Sequence, residues 1–236
     1  MVGASSGLGR GLALRLVAEG ARVAVAARRR DRLQALAAEA GTACVPLVCD
    51  VRDESSCQAA VTGAVEALGG LDYLIYCSGV GPLRRLVDAD QSLWSGVMAT
   101  NVIGAALVTR AAAPHLERSG GKAVFLSSIS AGVTPPWPGL GLYGVSKAAL
   151  ERLVQSFQAE LPDVAFTRMI IGPAGVDAAT EFANGWDPDL AGDVGRTWVQ
   201  KGYMGDGLVS LADIGDQLVA LLAAEARVEC VVIVPG

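Results

Sequence analysis

The chain is poor in the residues that build metal sites and disulfide frameworks. It has one histidine, His115, and five cysteines, Cys44, Cys49, Cys57, Cys77 and Cys230, odd in number and without CxxC spacing. That pattern argues against a zinc ribbon or a paired-disulfide scaffold, predicts no metal site, and fits a reduced protein of the cytoplasm. Positive charge is not in excess: 19 Lys and Arg against 24 Asp and Glu leave a net charge of −5. With no Arg/aromatic stripe either, nucleic acid is not an expected partner. Apolar runs such as Val231 to Val234 are of strand length, far short of the roughly 18 residues that cross a bilayer, so no membrane partner is expected. The opening residues, broken by Gly3, Gly7, Gly9, Arg10, Arg15 and Glu19, do not read as a secretory signal. Internal repeats, low-complexity tracts and linkers are missing as well, so residues 1–236 are expected to form one domain.

The chain is rich in core-forming residues, 52% hydrophobic, enough for one α/β domain of ordinary to large size. It opens with Gly3-Ala4-Ser5-Ser6-Gly7-Leu8-Gly9 and passes into an apolar-striped helix, Arg10 to Glu19. Glycines here allow a tight turn and close approach to a pyrophosphate, while the helix N-terminus supplies free N–H groups and a positive dipole end. Gly20 closes the helix, and Ala21 to Ala27 reads as a buried parallel strand ending at Arg28. Turn, helix, strand is the order of a dinucleotide-binding unit. A carboxylate at that strand end would bond the ribose 2′-hydroxyl of NAD, but Ala27 and Arg28 stand there. A guanidinium suits a 2′-phosphate, which favours NADP over NAD. The alternative is that Arg28 to Arg32 solvate the next helix start.

The βαβ alternation continues through a helix Arg32 to Ala40, a strand Cys44 to Cys49 ending in Asp50-Val51, and a helix Ser55 to Leu68. A strand Leu71 to Tyr76 then runs into Cys77-Ser78-Gly79, small residues where a ligand can approach. Two helices between Leu83 and Glu117 hold Asn101, an amide among apolar neighbours that needs buried partners. His115 reads as a surface residue. After a strand Lys122 to Leu126 come Ser127 to Ser130, a Pro-rich loop, and a helix from Tyr143 to about Leu161. Tyr143 and Lys147 lie one turn apart on one face, an arrangement for moving a proton. A strand Val164 to Ile171 precedes Gly172-Pro173-Ala174-Gly175-Val176, and a helix Leu211 to Ala224 and a strand Val228 to Val234 close the chain. Residues 177–208 lose periodicity and collect Phe182, Trp186, Trp198, Tyr203 and Met204. They are expected to form a substrate lid loop with apolar lining.

The glycine turn, Asp50-Val51, Asn101, the serine-bearing strand, Tyr143-x-x-x-Lys147 and the Pro173 turn together resemble the short-chain dehydrogenase/reductase family over the whole length. The resemblance implies a Rossmann-like doubly wound parallel sheet with helices on both faces, and NADP-dependent interconversion of a carbonyl and an alcohol on an apolar small-molecule substrate. It makes Tyr143 the general acid, Lys147 its electrostatic support and ribose ligand, Ser128 the partner of the substrate oxygen, and Asn101 the holder of a water. Gly3, Ser5, Ser6, Gly7, Leu8, Gly9, Arg28, Asp50, Val51, Ser78, Gly79, Pro173 and Val176 would bind the cofactor, together with Tyr143 and Lys147. Lys147 is expected to lower the Tyr143 pKa by roughly one to three units. A homo-oligomer, dimer or tetramer, is expected through helix faces bearing Ala105, Ala112, Ala149 and Phe157.

Three features depart from the family. Only Met1 and Val2 precede Gly3, where the family has a complete central strand; the expectation is a truncated first strand and a native chain that begins upstream. Ser128 lies two residues further from Tyr143 than the family spacing, which Ser130 keeps, so Ser130 is a rival to Ser128. Finally, Tyr76-Cys77-Ser78-Gly79 replaces the family's Asn-Asn-Ala-Gly, which leaves a catalytically silent dinucleotide-binding sensor or scaffold as the competing function.

Overall fold

Apolar, β-branched runs buried on both sides become the parallel strands of one sheet, and the amphipathic runs between them become its covering helices. The computed structural model describes residues 1–175, 182–204 and 207–235. Its parallel strands are β1 (Val23–Ala27), β2 (Cys44–Val48), β3 (Tyr73–Tyr76), β4 (Lys122–Ser128), β5 (Ala165–Ile171) and β8 (Cys230–Ile233), with β6 (Ala174–Gly175) and β7 (Val209–Ser210) as a small separate pair. The order is β2-β1-β3-β4-β5-β8, with Val2 bridging β1 at Ala26 and β3 at Tyr76. Helices α1 (Gly7–Ala18), α2 (Arg30–Ala40) and α8 (Leu211–Ala223) bury Leu12, Leu16, Leu33, Ile214 and Leu218 on one face, where Val124 and Leu126 of β4 also point. On the other face α3 (Glu54–Leu68), α5 (Gly104–Ser119) and α6 (Gly141–Glu160) cover Ala123 and Phe125 of the same strand. Alternation along β4 thus feeds two cores at once. This is the expected Rossmann-like architecture.

Met1 and Val2 stand in the central strand's place and pair only at its carboxyl end. Val2 N–H donates to the Ile75 carbonyl at 2.9 Å, Cys77 N–H to that of Val2 at 2.8 Å, and Ala26 N–H to that of Met1 at 2.8 Å. Toward the other end a cavity of about 600 Å³ separates β1 from β3, lined by Val23, Ala24, Leu74, Ile75 and Leu222. The Met1 ammonium is buried there, donating to the Ala24 carbonyl at 2.7 Å. Burial pulls its pKa down from 8.0 to about 6, against the smaller opposing effect of Cys77, Cys44 and Cys49.

Three sequence expectations change. The stretch expected to be an irregular lid contains a helix, α7 (Pro188–Gln200), whose start is set by Asp187 accepting from the N–H groups of Asp189 and Leu190 with Pro188 at the first position. Leu190, Val194 and Trp198, spaced by four, turn inward. The two helices before β4 form one run, α4 (Gln91–Met98) joining α5 through a π turn at Ala99–Ile103. This run, Gln91–Ser119, is by length and composition apolar enough to cross a bilayer, which the strand-sized runs did not suggest; here Ala105, Val108, Ala112 and Leu116 are buried in the core. For the same reason Ala105 and Ala112 are not an outer face, and Phe157 stacks on Phe166 at 5.5 Å. The half-exposed apolar residues nearby are Ile103 and Val145.

Candidate active site

The carboxyl end of β4 meets the first turns of α6. Lys147, only 4% exposed, donates from Nζ to the Leu126 carbonyl at 2.7 Å. Burial lowers its pKa from 10.5 to about 8, with Cys77 and Glu151 opposing that fall. The Tyr143 ring centroid lies 5.7 Å from Nζ. Burial raises the Tyr143 phenol from 10.0 to about 12, with the facing Ser128 hydroxyl pulling the other way. The direction is thus opposite to the depression expected from Lys147, with desolvation as the largest cause.

Ser128 ends β4, and its Oγ lies 2.9 Å from that of Ser130, in the turn Ile129–Ala131. The hydroxyl that acts on Tyr143 is Ser128's. Asn101 sits in the π turn, fully buried, behind Gly79 rather than on the cavity wall. Its Nδ2 donates to the Val80 carbonyl at 2.9 Å and to Ser146 Oγ at 2.8 Å, while its Oδ1 accepts from Val80 N–H at 2.8 Å. Ser146 in turn donates to the Tyr143 carbonyl at 2.7 Å. One amide thus ties the loop after β3 to the turn that carries Tyr143. The π turn is itself held by the Tyr76 hydroxyl, 2.6 Å from the Thr100 carbonyl; π turns of this kind gather at functional sites. Sequence reading missed Ser146 and Tyr76, although Ser146 stands next to Lys147.

A cavity of about 1070 Å³ runs from this centre along the strand ends to the glycine turn. Gly3, Ser5, Ser6, Gly7, Leu8, Gly9, Arg28, Asp50, Val51, Ser78, Gly79, Ser128, Tyr143, Lys147 and Pro173 all line it; Val176 falls outside the described residues. The turn is crowded: Gly3 has φ +87, and a Cβ on Gly9 would meet the Gly3 carbonyl oxygen at 2.2 Å. Ser6, the N-cap of α1, makes no side-chain cap bond, leaving the helix N–H groups directed at the cavity, as an anionic diphosphate requires. Arg29, also unforeseen, donates to Ser5 Oγ at 2.7 Å and Ser6 Oγ at 3.0 Å. Arg52 grips Asp50 through Nε at 3.0 Å and Nη2 at 2.7 Å, which holds the carboxyl down at about 2. With Arg28 exposed beside them, positive charge exceeds negative at this end. The cradle fits a nicotinamide dinucleotide.

Over the other end stands an aromatic wall. The Phe182 ring meets Tyr143 edge-on at 5.1 Å and Trp186 at 5.7 Å; Trp186 meets Trp198 at 6.2 Å, and Trp198 meets Trp137 at 5.2 Å. Each indole N–H is taken up inside the protein, Trp186 by the Gly81 carbonyl, Trp198 by that of Pro138 and Trp137 by Thr134 Oγ1. The cavity is therefore offered ring faces without donors.

The family model described as "short chain dehydrogenase" matches residues 1–190. The pig protein "Dehydrogenase/reductase SDR family member 4" is 34% identical over 161 residues, 66% of this chain and 57% of the relative. The Arabidopsis thaliana "11-beta-hydroxysteroid dehydrogenase-like 3" is 34% identical over 186 residues, 76% of this chain and 60% of the relative. The match thus spans less than two thirds of these relatives' own length. Among solved structures, an alcohol dehydrogenase from Thermococcus sibiricus, complexed with 5-hydroxy-NADP, is 25% identical with a TM-score of 0.82, covering 99% of this chain and 94% of that one. On sequence, fold and site geometry together, the chain belongs to the short-chain dehydrogenase/reductase family of NAD(P)-dependent oxidoreductases.

Proposed function

We propose that this protein is an NADP-dependent oxidoreductase that interconverts a carbonyl and an alcohol on an uncharged, apolar substrate. The observation that carries the reading is that Ser128, Tyr143 and Lys147 face one cavity that is cationic at its glycine-turn end and walled with donor-free aromatic rings at the other. The bound nicotinamide supplies the hydride or accepts it. Every other task falls to the chain. The α1 N-terminus and the glycine turn bind the diphosphate, and Arg28 with Arg29 meets a 2′-phosphate where Ala27 leaves no carboxylate for a 2′-hydroxyl. Ser128 donates to the substrate oxygen as charge grows on it. Tyr143, held as the neutral phenol by burial, gives that oxygen a proton in reduction. Lys147 remains cationic below about pH 8 and stabilises the phenolate left behind. Asn101 fixes the loop after β3 and the Tyr143 turn, and in this reading it also holds the water through which the proton returns. The substrate is confined by Phe182, Trp186 and Trp198; the relative named for a hydroxysteroid is consistent with such a class. Five free cysteines suit a reducing compartment such as the cytoplasm, and the exposed Ile103 and Val145 suit self-association.

A screen of ketones and aldehydes should find NADPH-dependent turnover that Tyr143→Phe lowers by at least about 100-fold, the lower range for a positioned general acid. Turnover unchanged in that variant would sink the reading, as would its absence across the screen. Ser128→Ala is expected to lower turnover more than Ser130→Ala. Arg28→Ala should raise the KM for NADPH and leave that for NADH nearly unaltered; equal effects on both would reject the 2′-phosphate assignment.

The carbonyl-reduction rate should fall above about pH 8 as Lys147 loses its proton, read as the alkaline limb of kcat against pH. Asn101→Ala strands the Val80 N–H and carbonyl in the interior and should destabilise the fold by about 2 kcal/mol or more, measured by urea unfolding.

A further inference from the structure

Glu151 lies one turn beyond Lys147 on α6, so Tyr143, Lys147 and Glu151 share one helix face at spacings of four. Its carboxylate is not solvated like an ordinary helix acid. Ser127, 6% exposed, donates to Oε1 at 2.6 Å, and Arg168 of β5 approaches Oε2 at 3.6 Å, both acid and guanidinium side chains being 17% exposed. Ser127 sits between Leu126, whose carbonyl receives the Lys147 ammonium, and Ser128, whose hydroxyl faces Tyr143. One carboxylate therefore grips the strand residue flanked by both partners of the reacting pair, and stands one helical turn from the ammonium.

We propose that Glu151 is a positioning residue for the reaction: through Ser127 it clamps the end of β4 onto α6, and through its charge it keeps Lys147 cationic. The proposal rests on the oxidoreductase reading for its kinetic consequence, but not for the coupling between the two side chains. Among the described residues, the surroundings of Lys147 supply few other charges. From β3 comes the Cys77 thiol, pushed up to about 12 by burial, with the Met1 ammonium behind it. The Tyr143 phenol lies on α6 itself, and Arg168 reaches from β5 to Glu151. From the π turn comes only the neutral Asn101 amide, and from β4 the Leu126 carbonyl and the Ser127 and Ser128 hydroxyls. Glu151 is the one anionic carboxylate among these groups, so its removal changes the balance in one direction.

The chain has three lysines, Lys122, Lys147 and Lys201, so NMR titration of protein labelled with 13C at lysine Cε resolves Lys147, assigned with Lys147→Met. In cofactor-free protein, Glu151→Gln keeps an acceptor for Ser127 but removes the charge, and should move the Lys147 midpoint down by about one unit. The alkaline limb of kcat should move with it. Ser127→Ala removes the clamp and keeps the charge, so the midpoint should stay while kcat falls and KM for NADPH does not change. Arg168→Met tests the coupling in the opposite sense, raising the midpoint, and serves if Glu151→Gln does not fold. A Lys147 midpoint identical to wild type in Glu151→Gln, or in Arg168→Met where only that variant folds, would overturn the charge role. Wild-type kcat in Ser127→Ala would overturn the clamp. A shifted midpoint in a protein without any reductase activity would leave the coupling standing and defeat the functional reading instead.

Discussion

A lysine ammonium enclosed in an α/β core is the constraint around which this site is built. Desolvating such a charge costs several kcal/mol unless polar partners replace water, and here the Leu126 carbonyl does so at 2.7 Å. A strand carbonyl is free for that purpose only where its ladder ends or its neighbour turns away. The end of β4 must therefore stop within reach of the second turn of α6, and both must stay there. Ser127 gripping Glu151, Ser128 leading into the Ile129–Ala131 turn, and Asn101 tying Val80 to Ser146 are separate means to that one end.

The sheet obeys the same economy of position. At its centre the bonds of Met1 and Val2 lie at the carboxyl ends of β1 and β3, beside the cavity lined by Ser128, Tyr143 and Lys147. The unpaired stretch lies toward the opposite end, where Val23, Ala24 and Ile75 face a cavity lined mainly by apolar side chains. Ligands in open α/β sheets bind outside the carboxyl ends of the strands, the end at which Met1 and Val2 tie β1 to β3. Gly3 follows directly from Val2 and closes against Ser78 with no room for a Cβ, which carries the alignment of the short central strand into the turn.

Most of this was legible because it is periodic or local. The strands announce themselves as apolar runs of strand length, and Tyr143 and Lys147 share a helix face by spacing alone. What escaped was set by side chains meeting across the fold. Glu151 looked like any helix carboxylate until β4 and β5 brought Ser127 and Arg168 to it. Tyr76 stood out as a departure from the family pattern, and its hydroxyl proves to hold the π turn. The region of α7 reads as a loop because periodicity is lost over 177–208 as a whole, although Asp187-Pro188 and the spacing of Leu190, Val194 and Trp198 contain a helix start and an apolar stripe. The direction of the Tyr143 pKa escaped for a different reason: proximity to a cation is visible in sequence, whereas the desolvation that dominates at this half-buried phenol is not.

In the proposed reaction, desolvation is part of how the pair works. Desolvation pushes Tyr143 up to about 12 and Lys147 down to about 8, so at neutral pH the resting pair is a phenol beside an ammonium, and the phenolate is unfavourable. In that reading a phenolate forms only as the proton moves to the substrate oxygen. At that moment the same dry surroundings that opposed ionisation strengthen its attraction to Lys147. An interaction absent from the ground state and present in the transition state lowers the barrier, whereas one present in both would not. Raising the phenol's resting pKa and keeping the lysine charged are thus complementary requirements, and burial supplies the first only because Leu126 and the nearby carboxylate of Glu151 preserve the second.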